Sequence, residues 1–461
     1  MPAVERTKVA GLKKNLRKYR KRRFLGRKEY TGGLKALVSL FTSVLLWSGQ
    51  LLRAQPLVGF VSLRPDNDNI HGVVFTKSGA QMSYPVMTLG SSGGLELHFD
   101  DFDAHIKNYS YTYLRCDENW QPVLQSPFDY IQGFREVSIR DAKFSAVSRT
   151  HYVHYSATLP GSQSMIKQSG NYLLKVFLDG DTAKLAFERR FLVVDPKVAV
   201  AAAVVRPNGS APDGDRQKLN VSINVSRLQV QNPMQQVKIV VLQNYRWDNA
   251  VHHLQPAFMR GSTYEYNSER DLLFPAGKEY RWVDLQSFRF QSERVEGVKA
   301  AEGHPAGYEV TLKTDLQRRG IQYMPYVDYD GFYKIAASEN IQPAYQGDYG
   351  LVRFRYKTAT GQPYGDQQVY VLGQFNQYIK DDESRMTYNT ADGVYEKTLL
   401  LKQGYYSYLY GTAASDSQPT VTDITEGNYW ETENTYTVLV YFQSFSDRAP
   451  GLVACTTVSS R

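Results

Sequence analysis

Cysteine is almost missing from this chain: Cys116 and Cys455 are the two in 461 residues. That excludes a disulfide-stapled miniprotein and any zinc or iron–sulfur centre built on four thiolates. The pair lies far apart in sequence, in different expected domains, so the residues read as two separate buried thiols. Pairing between them stays open, because an oxidising compartment would permit it. No stretch keeps a helical 3.6-residue period, which argues against a helical bundle. Beyond residue 54 no apolar run approaches the roughly 20 residues of a membrane-spanning helix. Positive charge is also missing from the body of the chain. The whole carries 54 Lys and Arg against 46 Asp and Glu, yet residues 1–54 hold 14 of those cations and two acids. From Gln55 onward 40 basic residues face 44 acidic ones, a net of −4. A nucleic-acid reader carries its cations on the folded part, so the high isoelectric point is no sign of one.

The early residues read as an address. A basic stretch, Lys13–Arg23, precedes the apolar run Ala36-Leu-Val-Ser-Leu-Phe-Thr-Ser-Val-Leu-Leu-Trp47. As a helix that run would rise about 18 Å, well short of a hydrocarbon core of roughly 30 Å. Ala54 before Gln55 supplies a small residue for cleavage, so 1–54 is expected to be a basic extension and signal peptide. The alternative is a single membrane anchor. The long basic region and Leu52 at the −3 position depart from the usual signal pattern. With no cysteine soon after the run, lipid attachment is not expected, and the mature chain should be exported and soluble.

Aromatics are what the chain has in quantity, with 34 Tyr, 21 Phe and 5 Trp, and these favour strands. Period-two alternation recurs at Leu95-Glu-Leu-His-Phe99, Tyr109-Ser-Tyr-Thr-Tyr-Leu114, Tyr172–Leu178, Arg190–Val194, Lys218–Val225 and Val237–Leu242. It returns at Val369–Tyr378, Gly404–Tyr410 and Tyr436–Tyr441, between turn-forming Asp-Gly and Ser-Gly steps. The expected fold is all-β, a tandem of immunoglobulin-like β-sandwiches behind a cleaved signal segment. Its expected divisions are an N-terminal sandwich at 55–197, a linker at 198–216, a middle sandwich at 217–358 and a C-terminal immunoglobulin-like domain at 359–461. Breakers crowd 206–216 and 358–363, which places the two junctions.

Candidate chemistry is thin. Gly90-Ser-Ser-Gly-Gly94 matches a nucleophile-elbow pattern that would make Ser92 a hydrolase nucleophile, but the elbow needs a strand–turn–helix. Here it falls between two strand-like runs and reads as a hairpin loop. Asp100, Asp101 and Asp103 with His98 and His105 could hold a metal or share a proton. His98 and Asp100 fall on one strand face and Asp101 on the other, so a strand ending in an acidic turn is the expectation. Asp328-Tyr-Asp-Gly331 begins like a calcium loop, and Glu339 stands at its twelfth position. Phe332 and Tyr333 at the fifth and sixth positions break the pattern, so it reads as a turn. His151 and His154 fall on opposite strand faces and cannot chelate one ion together. No catalytic, metal or cofactor residue is assigned, and no cofactor is expected.

An ordered series of motifs carries a resemblance. In the first block it runs Leu97-His-Phe-Asp-Asp-Phe102, Tyr113-Leu-Arg-Cys-Asp-Glu-Asn-Trp120, Tyr130-Ile-Gln-Gly-Phe134, Tyr152-Val-His-Tyr-Ser156, Ser169–Leu173 and Arg190–Val193. Later come Gln243-Asn-Tyr-Arg-Trp-Asp-Asn249, Phe274-Pro-Ala-Gly277, Leu400–Tyr406 and Glu426-Gly-Asn-Tyr-Trp-Glu-Thr-Glu-Asn-Thr-Tyr436. In this order, over about 60 to 455, the chain resembles the type IX secretion system plug protein family of Bacteroidota. The resemblance implies a non-enzymatic periplasmic protein on the inner side of the outer membrane. Its implied partner is the large β-barrel translocon called SprA or Sov, whose periplasmic opening it occludes when nothing is passing. It implies no catalytic residues and marks no partner-binding residues. The ending Ser444–Gly451 is less basic and aromatic than that family would suggest.

The third block also looks like glycogen- and starch-binding modules, through Gly373-Gln-Phe-Asn-Gln-Tyr378, Gly393-Val-Tyr395 and Gly404–Tyr408. The alternative function is therefore an envelope carbohydrate-binding protein that stacks sugars on Tyr378. The competing reading is that these aromatics are core or interface, since fold does not imply function.

Overall fold

The computed structural model describes Leu63, residues 66–208 and residues 215–461. The expected leader at 1–54 lies outside the described residues. From Ile70 on, alternation becomes strand pairing. One sheet runs in the order Ile70–Lys77, Leu95–Asp101, Val153–Leu159, Asp141–Phe144. It packs on a second, ordered Val86–Thr88, Leu185–Val194, Gly170–Leu178, Tyr109–Cys116, Val137–Ser138. Leu95, Leu97 and Phe99 on one sheet and Tyr109, Tyr111 and Tyr113 on the other meet in one core. Phe99 sits 5.0–5.1 Å, centroid to centroid, from Tyr109, Tyr155 and Phe187. Each such ring buries about 150–250 Å², worth roughly 4–6 kcal/mol of transfer free energy before ordering costs.

Gly90–Gly94 is not the expected hairpin. Val86–Thr88 belongs to one sheet and Leu95–Asp101 to the other, so the loop crosses between the layers. Val86–Thr88 pairs in parallel with Leu185–Val194, a partner about a hundred residues away that local alternation cannot reveal.

The second sandwich is built from two separated stretches of chain. One sheet holds Ala199–Val205, Arg216–Asn224, Thr263–Tyr266 and Phe258–Arg260, with Leu273–Pro275 also paired to Arg216–Asn224. The facing sheet runs Val237–Gln243, Thr435–Phe442, Gly451–Ser459. Val237 pairs Phe442 and Gln243 pairs Tyr436, and the two sheets share one apolar core. The expected linker at 198–216 includes a strand, since Ala199–Val205 pairs with 218–224 along its whole length.

Between those stretches lies the third sandwich. Gly404–Ala413 pairs with Arg281–Asp284, Tyr333–Ile335 and Gln368–Leu372. The opposing sheet is ordered Val295–Ala300, Tyr308–Leu312, Tyr349–Lys357, Val394–Lys402, Thr387–Asn389. Tyr349–Lys357 pairs with Val394–Lys402, directly across the expected junction at 358, while the strands after 434 leave for the second sandwich. On Gly404–Ala413 the inward side chains include Tyr406, Tyr408 and Tyr410, each at most 2% exposed.

Candidate functional site

The residues with chemical promise in the sequence are dispersed. Ser92 is exposed on the crossing loop, and a strand rather than a helix follows it, so no elbow forms. Asp103 sits in an exposed turn beside Lys107. Asp100 and Asp101 do not belong to that turn. Both lie inside the strand and are buried, at 1% and 0% exposed. Asp101 faces the first core, where it accepts from Tyr109 Oη at 2.8 Å and pairs with Lys107 at 2.8 Å.

Asp328 accepts backbone N–H bonds on both oxygens, from Asp330 at 2.8 Å and from Tyr280. Burial pushes its carboxyl up to about 7 and that of Asp330 up to about 6, so the environment of each opposes charge where a cation site would favour it. Cys116 and Cys455 are free thiols, and burial raises them to about 12 and about 11. His151 is exposed and His154 buried. Among the described residues no group of three or more His, Cys, Asp or Glu could hold a metal ion. No described helix is long and apolar enough to cross a membrane.

Tyr378 overturns the sugar-stacking reading. It is 3% exposed, its Oη donates to Tyr280 Oη at 2.9 Å, and the Arg246 guanidinium stacks 4.8 Å from its ring. Its backbone is left-handed, at φ 56°. The ring is therefore core at the seam of the second and third sandwiches, with no face open to a sugar.

What the fold assembles instead are buried polar junctions between sandwiches. The outer face of the strand Leu95–Asp101 carries Glu96, His98 and Asp100, and the third sandwich covers its Asp100 end while Glu96 and His98 stay partly exposed. Asp100 Oδ2 takes Lys402 Nζ and Tyr349 Oη, and its Oδ1 lies 2.7 Å from His154 Nδ1. A carboxylate only accepts, so His154 donates through Nδ1. Its Nε2 then accepts from His98 Nδ1, 3.2 Å away, when both rings are neutral. His98 Nε2 then carries no proton, and Glu96 stands 4.0 Å from it, beyond hydrogen-bond reach, so the relay stops at His98 with no hydroxyl or thiol nucleophile at its end. Burial opposes ionisation of Asp100, but Lys402 and His154 outweigh it and hold its carboxyl below the usual range.

The same seam is sewn by backbone. Asp348 Oδ1 accepts from the N–H groups of Arg149 at 2.6 Å and Thr150 at 3.0 Å, and Tyr152 Oη donates to Gly347 O at 2.7 Å. Between first and second sandwiches, Asp195 N and Lys197 N donate to Leu452 O and Val453 O, both at 2.9 Å. Trp120 meets Trp247 edge to face at 4.9 Å, with the Arg190 guanidinium over both rings. Inside the third sandwich Glu426 binds Arg281 and Arg318. Burial works against its charge, and the two guanidinia still bring it down to about 2. No residue spacing in the sequence announced these junctions, because their partners lie from about fifty to three hundred residues apart.

These features define a class, an all-β protein of three sandwiches joined through buried, hydrogen-bonded seams. A family model for the type 9 secretion system plug protein 1st domain matches residues 70–195. A crystal structure of a protein from Parabacteroides merdae ATCC 43184, described as hypothetical, is 31% identical and superposes with a TM-score of 0.82. The match covers 87% of this chain and 99% of that one. A search of curated proteins gives no match. The chain belongs to the type 9 secretion system plug protein family. Its role is accordingly in type IX secretion, in association with that system at the cell envelope.

Proposed function

We propose that this protein is a non-enzymatic plug, which binds the outer-membrane β-barrel translocon of type IX secretion from the periplasm and occludes its opening between transport events. The observation that carries the reading is the family match over residues 70–195. The seams support it physically. A plug must hold its shape against a partner, and sandwiches locked by buried ion pairs and backbone bonds resist hinge motion. The test is affinity purification of the tagged chain from solubilised envelope, with outer-membrane leak measured in a deletion strain. A very large barrel in near-stoichiometric yield, and a leak restored to normal by the wild-type chain, are expected. Return of the chain alone across detergent and salt conditions, with no added leak, would sink the proposal.

A further inference from the structure

A groove of about 850 Å³ opens between the first and second sandwiches, walled partly by the hairpin 443–450 that joins the last two strands. Its lining carries the cations Arg115, Lys167, Lys197, Arg227 and Arg448. Two carboxylates, Asp195 and Asp447, stand against them. Asp195 is taken by Lys197 at 2.7 Å, and Asp447 accepts from Ser444 N at 3.0 Å. Arg448 reaches Asp129 at 3.6 Å. Among the described residues, no carboxylate lies within 4.0 Å of the charged nitrogens of Arg115, Lys167 or Arg227.

Arg115 is the informative member. It is 4% exposed, and its guanidinium donates to neutral acceptors alone: Gln125 Oε1 at 2.7 Å, Gln168 Oε1, Ser169 O at 2.9 Å and Pro450 O at 3.0 Å. Its Nε has no partner. Asp447 acts on the guanidinium through space without a hydrogen bond, and with five cations against two carboxylates the groove keeps a positive field that an incoming anion can use. Around the groove the surface turns apolar. Phe445 on its wall is 65% exposed, Phe128 is 61% and Leu124 is 99%. Gln125 ties Leu124 to the groove through Arg115, and Lys167 Nζ ties Phe128 to it, donating to Phe128 O at 2.9 Å.

We propose that this groove docks an acidic polypeptide segment of a protein partner, its carboxylates meeting Lys167 and Arg227 in the field of the buried Arg115 while its apolar side chains cover Phe445, Phe128 and Leu124. A simple anion would use the cations and leave the apolar rim wet; a polypeptide carries both chemistries. The inference rests on the reading that the chain acts by binding a protein, and not on which barrel that protein is.

The test is fluorescence anisotropy of the purified mature chain. Its probes are a short labelled peptide alternating acids with Phe and Leu, and a second peptide with Lys in place of the acids; phosphatidylglycerol vesicles are tested by co-sedimentation. The acidic peptide should bind, weaken with salt, and lose roughly tenfold in affinity when Lys167→Glu and Arg227→Glu are combined. Both positions are exposed, so the folded state should survive, checked by an unchanged melting temperature. Phe445→Ser should weaken binding without altering its salt dependence. Equal binding of the two peptides, indifference to the charge reversals, or binding of vesicles in place of the peptide would overturn the proposal. A deletion strain with a tight outer membrane, alongside intact peptide binding, would sink the plug and leave this groove standing.

Discussion

Asp100→Ala would leave the Lys402 ammonium, 3% exposed, without its counter-ion at the seam of first and third sandwiches. Tyr349 and His154 would lose their acceptor in the same step. Removing one partner of a buried ion pair costs about 3–5 kcal/mol, because the charge left behind is neither paired nor hydrated. Total stabilities run at about 5–15 kcal/mol, so this one change removes a large share. Asp100→Leu with Lys402→Met removes both charges and should recover to within about 2 kcal/mol of wild type. Urea unfolding at neutral pH, followed by tryptophan fluorescence and circular dichroism, measures Asp100→Leu, Lys402→Met and their combination as a double-mutant cycle, beside Asp100→Ala. A single-variant cost below about 1 kcal/mol, or costs that simply add, would refute the account. The pH dependence gives a second check. The folded carboxyl is held below its ordinary value of 3.8, so its stabilisation is present at neutral pH and lost as pH falls through the folded value. Asp100→Asn should therefore differ from wild type by a constant amount down to about pH 4 and converge with it below.

The other predictions concern single sites. Burial pushes Asp328 up from its ordinary value of 3.8 to about 7, so its contribution is fullest in acid and falls as pH rises between those two values. Asp328→Asn should gain on wild type across that window and then level off, measured by urea unfolding at stepped pH. Gly331 has φ 82°, and a Cβ there would stand 1.9 Å from Tyr378 Oη, so Gly331→Ala should cost about 2 kcal/mol or more, read as a fall in melting temperature. Tyr378→Ala should destabilise by about 3–5 kcal/mol, while affinity electrophoresis in glycogen shows no retardation of either protein. The buried Cys116 should not react with Ellman's reagent until the chain unfolds, the half-buried Cys455 should react more slowly than a free thiol, and reductant should leave the melting temperature unchanged.

Strands were legible where they alternate: Leu95–Phe99, Tyr109–Leu114 and Tyr436–Tyr441 all pair as strands. Alternation tells which face a residue takes and not which strand lies beside it. Tyr436–Tyr441 accordingly read as part of the block before it, although its partner is Val237–Gln243. Asp100 shows the same limit at one residue. On its own strand it points outward and should be wet; a third sandwich more than two hundred residues later makes it buried. Tyr378 looked like a sugar platform because its neighbours matched a module, but its left-handed backbone turns the ring into a seam. The groove was invisible for a simpler reason: Arg115, Arg227 and Arg448 share no local pattern.

Because the second sandwich closes only with Thr435–Phe442 and Gly451–Ser459, its core cannot assemble until those strands have been made. The first sandwich has every strand by Val194 and the third by Ala413, so each can fold while later residues are still arriving. The closing hairpin then completes one core and, through Leu452 O and Val453 O, fastens it to the first sandwich. A chain that lost its final two dozen residues would keep two finished bodies and an open, aggregation-prone sheet edge on the remaining half. The last strands thus serve as an internal check that only molecules carrying them reach the rigid, seamed state.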